Sequence, residues 1–390
     1  MMSFRKILFW LHLTIGCVSG LLILLMSVTG VLLTYERQTV SWIERRPLRQ
    51  ALSAHQTDQK PLPLESLVSA VSREESLPAA ASFVLRPSAI EPVEISLGRD
   101  GVIYADPYDG RVLSHGSPAA RAFFREVTAW HRWLGQSPRS FARSFTGASN
   151  LLFLGLIVSG FYLWLPRVWT KTSVAAVTWF RAGLRGRARD FNWHNTFGFW
   201  MTIPLFLIVL TAVPMSYGWA NDLLYRMTGS DVPRPGRAED GAPRDRRLQP
   251  RNWHGVDNAI ASPLGQSSPW RAITVRLQGG AESPFSIAID EGTGGQPQLR
   301  RTLTVGRVDG QILKQETFSS NNLGRRLRTW ARFVHTGEAF GMWGQTFAGL
   351  ASLAACVLVW TGISLALRRL FNSRTRRDGR PVDKRSALAA

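Results

Sequence analysis

Four long segments of the sequence contain no Asp, Glu, Lys or Arg: residues 7–35, 144–166, 191–221 and 339–367. Each exceeds the roughly 20 residues that a helix needs to cross a hydrocarbon core of about 30 Å. Because lipid offers the backbone no hydrogen-bond partners, such a segment is restricted to a helix that pairs its own N–H and C=O groups. The sequence therefore predicts a membrane protein with four spans, although its mean hydropathy of −0.04 resembles that of soluble proteins.

The distribution of charge predicts the orientation of these spans. The chain has 47 Lys and Arg against 27 Asp and Glu, a net charge of +20. Three short segments, residues 1–6, 167–190 and 368–390, hold 16 of the basic residues and only three of the acidic ones. Short basic segments are retained in the cytoplasm, so we expect both termini there. The positive charge is then a signal of topology, and no nucleic-acid partner is expected.

This topology divides the chain into eight parts. The first span is too long for the apolar region of a signal peptide, and we expect it to be retained. The large segments between spans one and two and between spans three and four are expected outside. In order, the predicted parts are residues 1–35, 36–143, 144–166, 167–190, 191–221, 222–338, 339–367 and 368–390.

The chain consists of two similar halves. Spans one and three share a His, a Gly four residues later, a Thr seventeen residues later and a Tyr twenty-three residues later, at an offset of 182. The motifs WHRWLGQSPRSF and SGFYLWLPR of the first half match VHTGEAFGMWGQTF and TGISLALRR of the second, with an offset of 204 between their histidines. Each half starts and ends on one side, so the repeats run parallel about a pseudo-two-fold axis along the membrane normal.

Each outer segment has a mixed helix and strand pattern. The fold class expected is a membrane all-α four-helix bundle, built from two parallel pseudo-symmetric repeats, with two small α+β outer domains. Residues 229–250, rich in Pro, Gly, Arg and Asp, are expected to form a loop or linker. The predicted helices outside the spans are residues 64–76, 121–134 and 323–335. The predicted strands are residues 82–86, 93–97, 102–105, 111–113, 273–277, 285–289, 303–305 and 312–313.

Four of the seven histidines occupy repeated positions: His12, His131, His194 and His335. A single histidine near a helix is usually bonded to a neighbouring carbonyl. A repeated set at membrane depth is a functional candidate, because an ionisable group there is costly. The pseudo-two-fold axis brings His12 opposite His194 near the cytoplasmic face and His131 opposite His335 near the outer face. Glycines lie one turn away, at Gly16, Gly198 and Gly135.

Two facing imidazoles inside a helical bundle fit axial ligation of haem. Zinc, the main alternative, requires three or four converging ligands, whereas each level offers two histidines, no cysteine and no acid within the membrane. Cys17 and Cys356 lie inside spans and form no C-x-x-C-H motif, so any haem is non-covalent. The sequence favours two haem b groups.

The groups around these ligands are predicted from their positions in the sequence. Candidates for the hydrogen bond to the second ring nitrogen are Thr14, Asn192, Asn195, Thr196, Thr128 and Thr336. Candidates for holding haem carboxylates, with lipid headgroups as the alternative partner, are Arg132, Arg139, Arg143, Arg328 and Arg332, and on the inner side Arg5, Lys6 and Arg189. Packing and anchoring are assigned to the repeated Thr29, Thr211, Tyr35 and Tyr217, and surface positions to His55, His115 and His254.

These motifs resemble the PepSY-associated transmembrane family over nearly the whole chain. The resemblance rests on LHLTIG, SVTGVLLTYE, WHRWLG, SGFYLWLPR, NWHNTFGFW and VHTGEAFG, with a strand–DPYDG–RVL segment similar to a PepSY domain. Within the family the chain is most similar to bacterial inner-membrane ferric-siderophore reductases of the ferrioxamine-reductase type. The resemblance implies two b-type haems, ligated by the four repeated histidines, and reduction of siderophore-bound iron on the periplasmic side.

The chemistry fits a haem-dependent ferric-siderophore reductase. Siderophores hold Fe(III) through hard oxygen donors, and one added electron gives a more weakly held Fe(II). The chain contains no G-x-G-x-x-G motif, so the electron donor is expected to be a separate reductase or a quinol. Two alternatives remain open: a transporter of siderophores or peptides, and a PepSY-type regulatory or binding protein anchored by its helices.

Overall fold

The computed structural model describes residues 3–54, 60–78, 81–98, 101–136, 139–166, 168–233, 253–265, 269–277 and 283–378. Most of the predicted loop 229–250 lies outside these ranges. The chain forms two compact units. The helical unit comprises Met1–Thr34, Thr128–Ser216 and Thr346–Ala390, and the sheet unit comprises Tyr35–Val127 and Tyr217–Gln345.

The chain is mostly helical. The helices are α1 (Phe4–Leu33), α2 (Glu36–Ala54), α3 (Leu64–Glu74), α4 (Pro118–Trp133), α5 (Arg139–Trp164), α6 (Lys171–Thr178), α7 (Gly186–Ser216), α8 (Gly218–Met227), α9 (Val256–Gly265), α10 (Leu323–His335) and α11 (Gly341–Asp378). The strands are β1 (Ser82–Leu85), β2 (Val93–Ser96), β3 (Val102–Ala105), β4 (Val112–Ser114), β5 (Ala272–Leu277), β6 (Phe285–Asp290), β7 (Arg300–Val305) and β8 (Ile312–Thr317).

Within the described residues, four helical stretches are long and apolar enough to cross a membrane, in agreement with the sequence. They are Phe4–Ser53, Phe141–Trp164, Gly186–Ser216 and Glu338–Leu370. Large apolar side chains on these helices are exposed, including Val18 (73%), Leu21 (74%) and Ile203 (72%). Surfaces of this kind suit contact with lipid, which is as apolar as the side chains themselves.

The long helices of the helical unit pack around a small apolar core. Ile157 of α5, Leu205 and Val209 of α7, and Ala351 and Ala355 of α11 are buried together. The two alanines let the helix backbones approach closely, which is a usual basis of helix association in lipid. Helices α1 and α7 begin, and helices α5 and α11 terminate, on one side of this unit. We call this side the basic end.

The strands form a single antiparallel sheet in the order β4-β3-β2-β1-β5-β6-β7-β8. The first half of the chain supplies β1–β4 and the second half supplies β5–β8. They join where β1 pairs with β5, with Phe83 opposite Val275. Both of these residues are fully buried, in one apolar core that includes strands of both halves together with α3 and α9.

This single sheet corrects the expectation of two separate outer domains. Each half contributes four strands, and a sheet of four strands alone would leave β1 or β5 as an edge with unpaired backbone groups. Pairing β1 with β5 removes both of these edges. It also continues the buried face across the junction, because Phe83 and Ile273 are both fully buried.

The predicted helices and strands are found at or near their expected positions, and α10 has the predicted bounds. Helix α11 is the largest departure, since it ends eleven residues beyond the predicted end of the fourth span. The sequence patterns did not predict α2, which follows the first long helix almost at once. Pro47 lies inside α2, and an internal proline normally argues against a helix. The third span ends at Ser216, and the residues after it form the separate helix α8.

Candidate functional site

The helical unit brings His12 and His194 together. His12 lies eight residues after the start of α1, and His194 lies eight residues after the start of α7. Their ring centroids are 6.5 Å apart and the ring planes are almost perpendicular, at 89°. The two imidazoles therefore lie next to each other near the basic end, where the repeat predicts them.

A hydroxyl group holds each of these rings in one orientation. His12 Nδ1 lies 2.8 Å from Ser159 Oγ of α5, and His194 Nδ1 lies 3.0 Å from Thr361 Oγ1 of α11. Each hydroxyl donates its own proton to a backbone carbonyl one turn earlier, at 2.6 and 2.7 Å. The hydroxyl oxygen therefore accepts a hydrogen bond from Nδ1–H. This tautomer leaves the lone pair of Nε2 available to a metal ion.

A glycine follows each of these hydroxyl residues and seats the ring against the helix backbone. A Cβ atom added at Gly160 would lie 3.1 Å from Cε1 of His12, and one at Gly362 would lie 3.2 Å from Cε1 of His194. Both distances are shorter than ordinary van der Waals contacts. The two halves thus use the same device, a hydroxyl residue followed by glycine.

The two rings line a cavity of about 660 Å³ in the helical unit, which we call the histidine cavity. This volume falls within the range of roughly 300–1,000 Å³ that is usual for ligand sites. Gly16 and Gly198, one turn after the two histidines, also line it. Its other lining residues include the apolar Phe153, Leu156, Ile157, Leu205 and Leu358, and the cationic Arg5, Lys6, Arg187 and Arg369.

The spacing of His12 and His194 would allow the two imidazoles to hold one metal ion between them. Two metal–nitrogen bonds of about 2 Å, with roughly 1 Å from each nitrogen to its ring centre, sum to about 6 Å, close to the observed 6.5 Å. Among the described residues, no three His, Cys, Asp or Glu side chains converge. The site therefore suits a metal that arrives with its other ligands, as iron does in a porphyrin.

His131 has similar surroundings. Its Nδ1 lies 2.9 Å from Oγ1 of Thr29, which donates to a carbonyl of its own helix at 2.7 Å. Gly30 follows Thr29, and a Cβ atom there would lie 3.7 Å from Cε1 of His131. The assignment of Thr29 to packing is therefore corrected, because its hydroxyl orients a candidate ligand.

His335 is the last residue of α10, in the sheet unit. Gly337, in a left-handed conformation with φ of 74°, lies just beyond the end of this helix. The rings of Trp330 and Phe340, on either side of His335 in sequence, have centroids 6.1 Å apart. The pairing of His131 with His335 stays a prediction.

The predicted inner partners of the histidines make other contacts. Asn192 donates to the carbonyls of Ala176 and Trp179, at 3.2 and 3.0 Å, and Asn195 donates to a carbonyl of its own helix. Thr14 is exposed, and Thr196 is buried with no hydrogen-bond partner in the part of the chain that the structure describes. The expectation that these residues orient His12 and His194 is therefore wrong.

A signal for the observed partners is present in the sequence. The matching motifs SGFYLWLPR and TGISLALRR begin with Ser159-Gly160 and Thr361-Gly362. A hydroxyl residue followed by glycine, at matched positions of the second and fourth spans, marks both partners. A serine or threonine in a membrane helix often bonds only to its own backbone, which is why the motif alone did not reveal them.

The arginines predicted near the outer pair have varied surroundings. Arg328 Nε donates to Asn221 Oδ1 at 3.1 Å, and burial lowers the pKa of Arg328. The guanidinium of Arg132 lies 4.7 Å from the ring centroid of Trp133, and that of Arg332 lies 5.4 Å from the ring centroid of Phe333. A role in holding carboxylates stays a prediction for each of them. The same role stays a prediction for Arg143, which is exposed, and for Arg139, whose side chain lies outside the described part of the chain.

Two of the three remaining histidines are exposed, as expected. The ring of His115 lies 2.7 Å from a carboxylate oxygen of Glu75, and that of His254 lies 2.9 Å from one of Glu65. Both histidines belong to the sheet unit. His55 lies outside the described residues.

A buried carboxylate near His194 was not predicted from the sequence. Asp190 lies one turn before His194 in α7, and its side chain is fully buried. It accepts hydrogen bonds from Arg189 at 2.8 Å and from Ser364 at 2.8 Å, and Arg368 lies 3.3 Å away. Because Ser364 and Arg368 belong to α11, this cluster fastens α7 to α11 beside the histidine cavity.

Comparison with known proteins identifies a family that extends over nearly the whole chain. A family model described as the PepSY-associated TM region matches residues 9–369. Comparison with curated proteins returned no match. The family match includes most of each of the four long helices and every strand of the sheet, and the chain therefore belongs to the PepSY-associated transmembrane family.

Proposed function

We propose that this membrane protein transfers electrons through two b-type haems and reduces siderophore-bound Fe(III) to Fe(II). The observation that carries the proposal is the pair formed by His12 and His194. Their ring centroids are 6.5 Å apart on the wall of a 660 Å³ cavity, and both Nδ1 atoms are engaged by hydroxyls. When bound there, haem iron supplies a one-electron carrier inside the membrane.

The residues of the chain prepare this site. Ser159 and Thr361 hold the two neutral imidazoles in the tautomer that presents Nε2. Apolar side chains of α5, α7 and α11 form much of the cavity wall. An apolar wall would make the potential of a bound metal depend on its ligands and neighbours. The second haem is proposed to bind His131 and His335, with its carboxylates near the outer arginines Arg132, Arg139, Arg328 and Arg332.

The direction of transfer follows from the proposed topology. With the basic segments in the cytoplasm of a bacterium and the protein in its inner membrane, a cytoplasmic reductase or a membrane quinol supplies electrons to the basic end. The ferric siderophore accepts them on the periplasmic side. Each Fe(III) takes one electron, and the Fe(II) product leaves hard oxygen donors more readily. The protein is thus proposed to act as a haem-dependent ferric-siderophore reductase.

Absorption spectroscopy of the purified protein tests the cofactor. We expect a low-spin b-type spectrum and, by pyridine haemochrome assay, about two haems per chain, since four histidines form two proposed pairs. His12→Ala or His194→Ala should remove one haem, and His131→Ala or His335→Ala the other. His115→Ala is the matched control, because His115 is exposed and bonded to Glu75. A folded protein that binds no haem would contradict the proposal.

A stopped-flow experiment tests the reaction. Protein reduced by dithionite, with excess reductant removed, should reoxidise on mixing with ferrioxamine, and a ferrous chelator should trap one Fe(II) per electron delivered. The H12A variant, lacking one carrier, should deliver fewer electrons per chain. If ferrioxamine and other ferric chelates all leave the reduced spectrum unchanged, the substrate assignment is wrong, and uptake of labelled siderophore into vesicles then tests the transporter alternative.

A further inference from the structure

The histidine cavity has an unbalanced charge. Its lining includes four cationic side chains, those of Arg5, Lys6, Arg187 and Arg369, and among the described residues no Asp or Glu lines it. The remainder of the lining is mostly apolar. Cations grouped beside an apolar wall are stabilised by an anion that pairs with them. The cavity therefore suits a ligand that is apolar over most of its surface and anionic at one end.

Two of the cations are related by the internal repeat. Arg5 precedes His12 by seven residues, and Arg187 precedes His194 by seven residues, at the same offset of 182 that relates the histidines. Seven residues are close to two helical turns, so each arginine lies on the same face of its helix as its histidine, about 10 Å nearer the basic end. Each of the two histidines thus has one arginine on the same helix face, seven residues before it.

Arg5 is held in place and still has N–H donors to offer. Its Nη2 atom donates to the carbonyls of Leu163 and Leu165, near the end of α5, at 2.6 and 2.9 Å. A guanidinium has five N–H donors, so these two bonds fix the position of Arg5 without using all of them. Arg187 and Lys6 are exposed residues of the cavity lining. The positions of both arginines are therefore compatible with a bound anion.

Neighbouring arginines are neutralised within the protein. Arg189 and Arg368 both contact the buried carboxylate of Asp190, and neither lines the histidine cavity. Arg187 lies two residues before Arg189, Arg369 directly follows Arg368, and both of them do line it. The chain thus separates arginines that have an internal counter-ion from arginines that face the ligand cavity.

We propose that Arg5 and Arg187, assisted by Lys6 and Arg369, bind the two carboxylates of the macrocycle held by His12 and His194. This inference rests on the proposed function, because it assigns the ligand of the same cavity. Arginine pairs with carboxylates through two parallel hydrogen bonds, and two repeat-related arginines match a ligand with two such groups. The polar edge of the macrocycle then faces the basic end, and its apolar edge faces the core of the unit.

Lipid phosphate is the competing partner for these cations. The experiment distinguishes binding of lipid phosphate from binding of the macrocycle's carboxylates. Protein carrying His131→Ala, in which the proposed second site is lost, is prepared without haem and titrated with haem or with haem dimethyl ester, whose carboxylates carry no charge. The Soret band reports binding. The test variant is Arg5→Gln/Arg187→Gln, and the matched control is Arg185→Gln, an exposed arginine that does not line the cavity.

We expect the double variant to bind haem at least roughly tenfold more weakly than the parent, the usual cost of losing a charge-assisted hydrogen bond. It should bind the dimethyl ester as the parent does. Arg185→Gln should behave as the parent toward both ligands. If the double variant does not fold, Arg187→Gln and Arg187→Lys give the same comparison, with partial retention of affinity expected for lysine because it keeps the charge.

Two results would overturn the inference. One is an equal loss of affinity on esterification in the parent and the double variant. The other is unchanged haem affinity in the double variant. Either result would assign these cations to lipid headgroups. Absence of haem binding by the folded parent is a different result, because it contradicts the proposed function itself rather than the role of the arginines.

Discussion

A hydroxyl group one residue before a glycine orients His12, His131 and His194. Ser159, Thr361 and Thr29 lie 2.8, 3.0 and 2.9 Å from the Nδ1 atoms that they contact. Serine and threonine are interchangeable here because the contact needs one oxygen that accepts from Nδ1–H while donating to the backbone. At this scale the site is defined by pairs of atoms, and each pair can be tested by removing one atom.

Removal of the hydroxyl should weaken the binding of the proposed haem without abolishing it. For Ser159→Ala and Thr361→Val we expect haem to dissociate about 10–100-fold faster, the usual effect of losing a hydrogen bond to a ligating histidine. Transfer of haem to apomyoglobin measures the rate. The control Ser173→Ala removes a hydroxyl outside the histidine cavity and should not change it. Equal rates in all variants would show that the hydroxyls do not support the ligands.

Helix α5 contains one glycine that contacts a histidine and one that does not, so the effect of an added methyl group can be compared within the same helix. Gly160→Ala places a methyl group 3.1 Å from His12 Cε1, whereas a methyl group at Gly155 meets nothing within 4 Å. We therefore expect Gly160→Ala to lower haem occupancy to about one per chain and Gly155→Ala to leave it unchanged, because a displaced ring no longer presents Nε2. The haemochrome assay measures both, and full occupancy in Gly160→Ala would contradict the packing argument.

At the scale of the element, α7 and α11 are joined by a buried charge cluster. The Asp190 side chain is fully buried, while those of Arg189 and Arg368 are 35% and 43% exposed. Ser364 completes the cluster from α11. His194 follows Asp190 by four residues, and Thr361 precedes Ser364 by three. The cluster therefore keeps in register the two helices that carry a candidate ligand and its hydroxyl partner.

Replacement of the buried carboxylate should destabilise this pair of helices. Breaking a buried pair costs roughly 3–5 kcal/mol, and partial exposure of both arginines reduces this to about 2 kcal/mol for Asp190→Ala. Thermal unfolding in detergent, followed by circular dichroism, measures the loss. The control Glu316→Gln removes an exposed carboxylate paired with Lys314 and should leave the transition unchanged. An unchanged transition in Asp190→Ala would contradict this role of the cluster.

The elements themselves were largely predictable from the sequence because their signals are local. An uncharged run marks each span, and alternation of apolar residues marks strands such as β2, where Val93 and Ile95 are buried. Helix α2 was missed because its proline and its charged residues oppose a helix at the local level. Its place is fixed instead by tertiary contacts, among them the buried Glu44, which accepts from Tyr104 and Arg121.

At the scale of the whole molecule, the repeat predicted the meeting of His12 with His194 but not how the segments between the spans assemble. The histidine pair follows from helix spacing and symmetry. The pairing of β1 with β5 joins strands about 190 residues apart, and no local pattern encodes which edges will meet. The hydroxyl partners of the histidines were predictable only in part. Their motif, a hydroxyl residue followed by glycine, is visible in the sequence, but in membrane helices such a hydroxyl commonly bonds only to its own backbone.

The shared sheet should unfold as one structure. Phe83 of the first half is fully buried, and its ring centroid lies 4.7 Å from that of Trp253 in the second half. We expect Phe83→Ala to cost about 3–5 kcal/mol, as large-to-small core changes do, and to shift the denaturant unfolding of both halves together. Phe123→Ala, at an exposed position, is the control. Separate transitions for the two halves would contradict a common core.

The junction between β1 and β5 also bears on how such a chain could arise. The strand order is symmetric about this junction, with four strands from each half on either side. In a chain of half the length, β1 would be an open edge able to pair with β1 of a second copy. The present protein therefore has the form of a fused homodimer, in which one polypeptide fixes the stoichiometry that two separate copies would reach only by association.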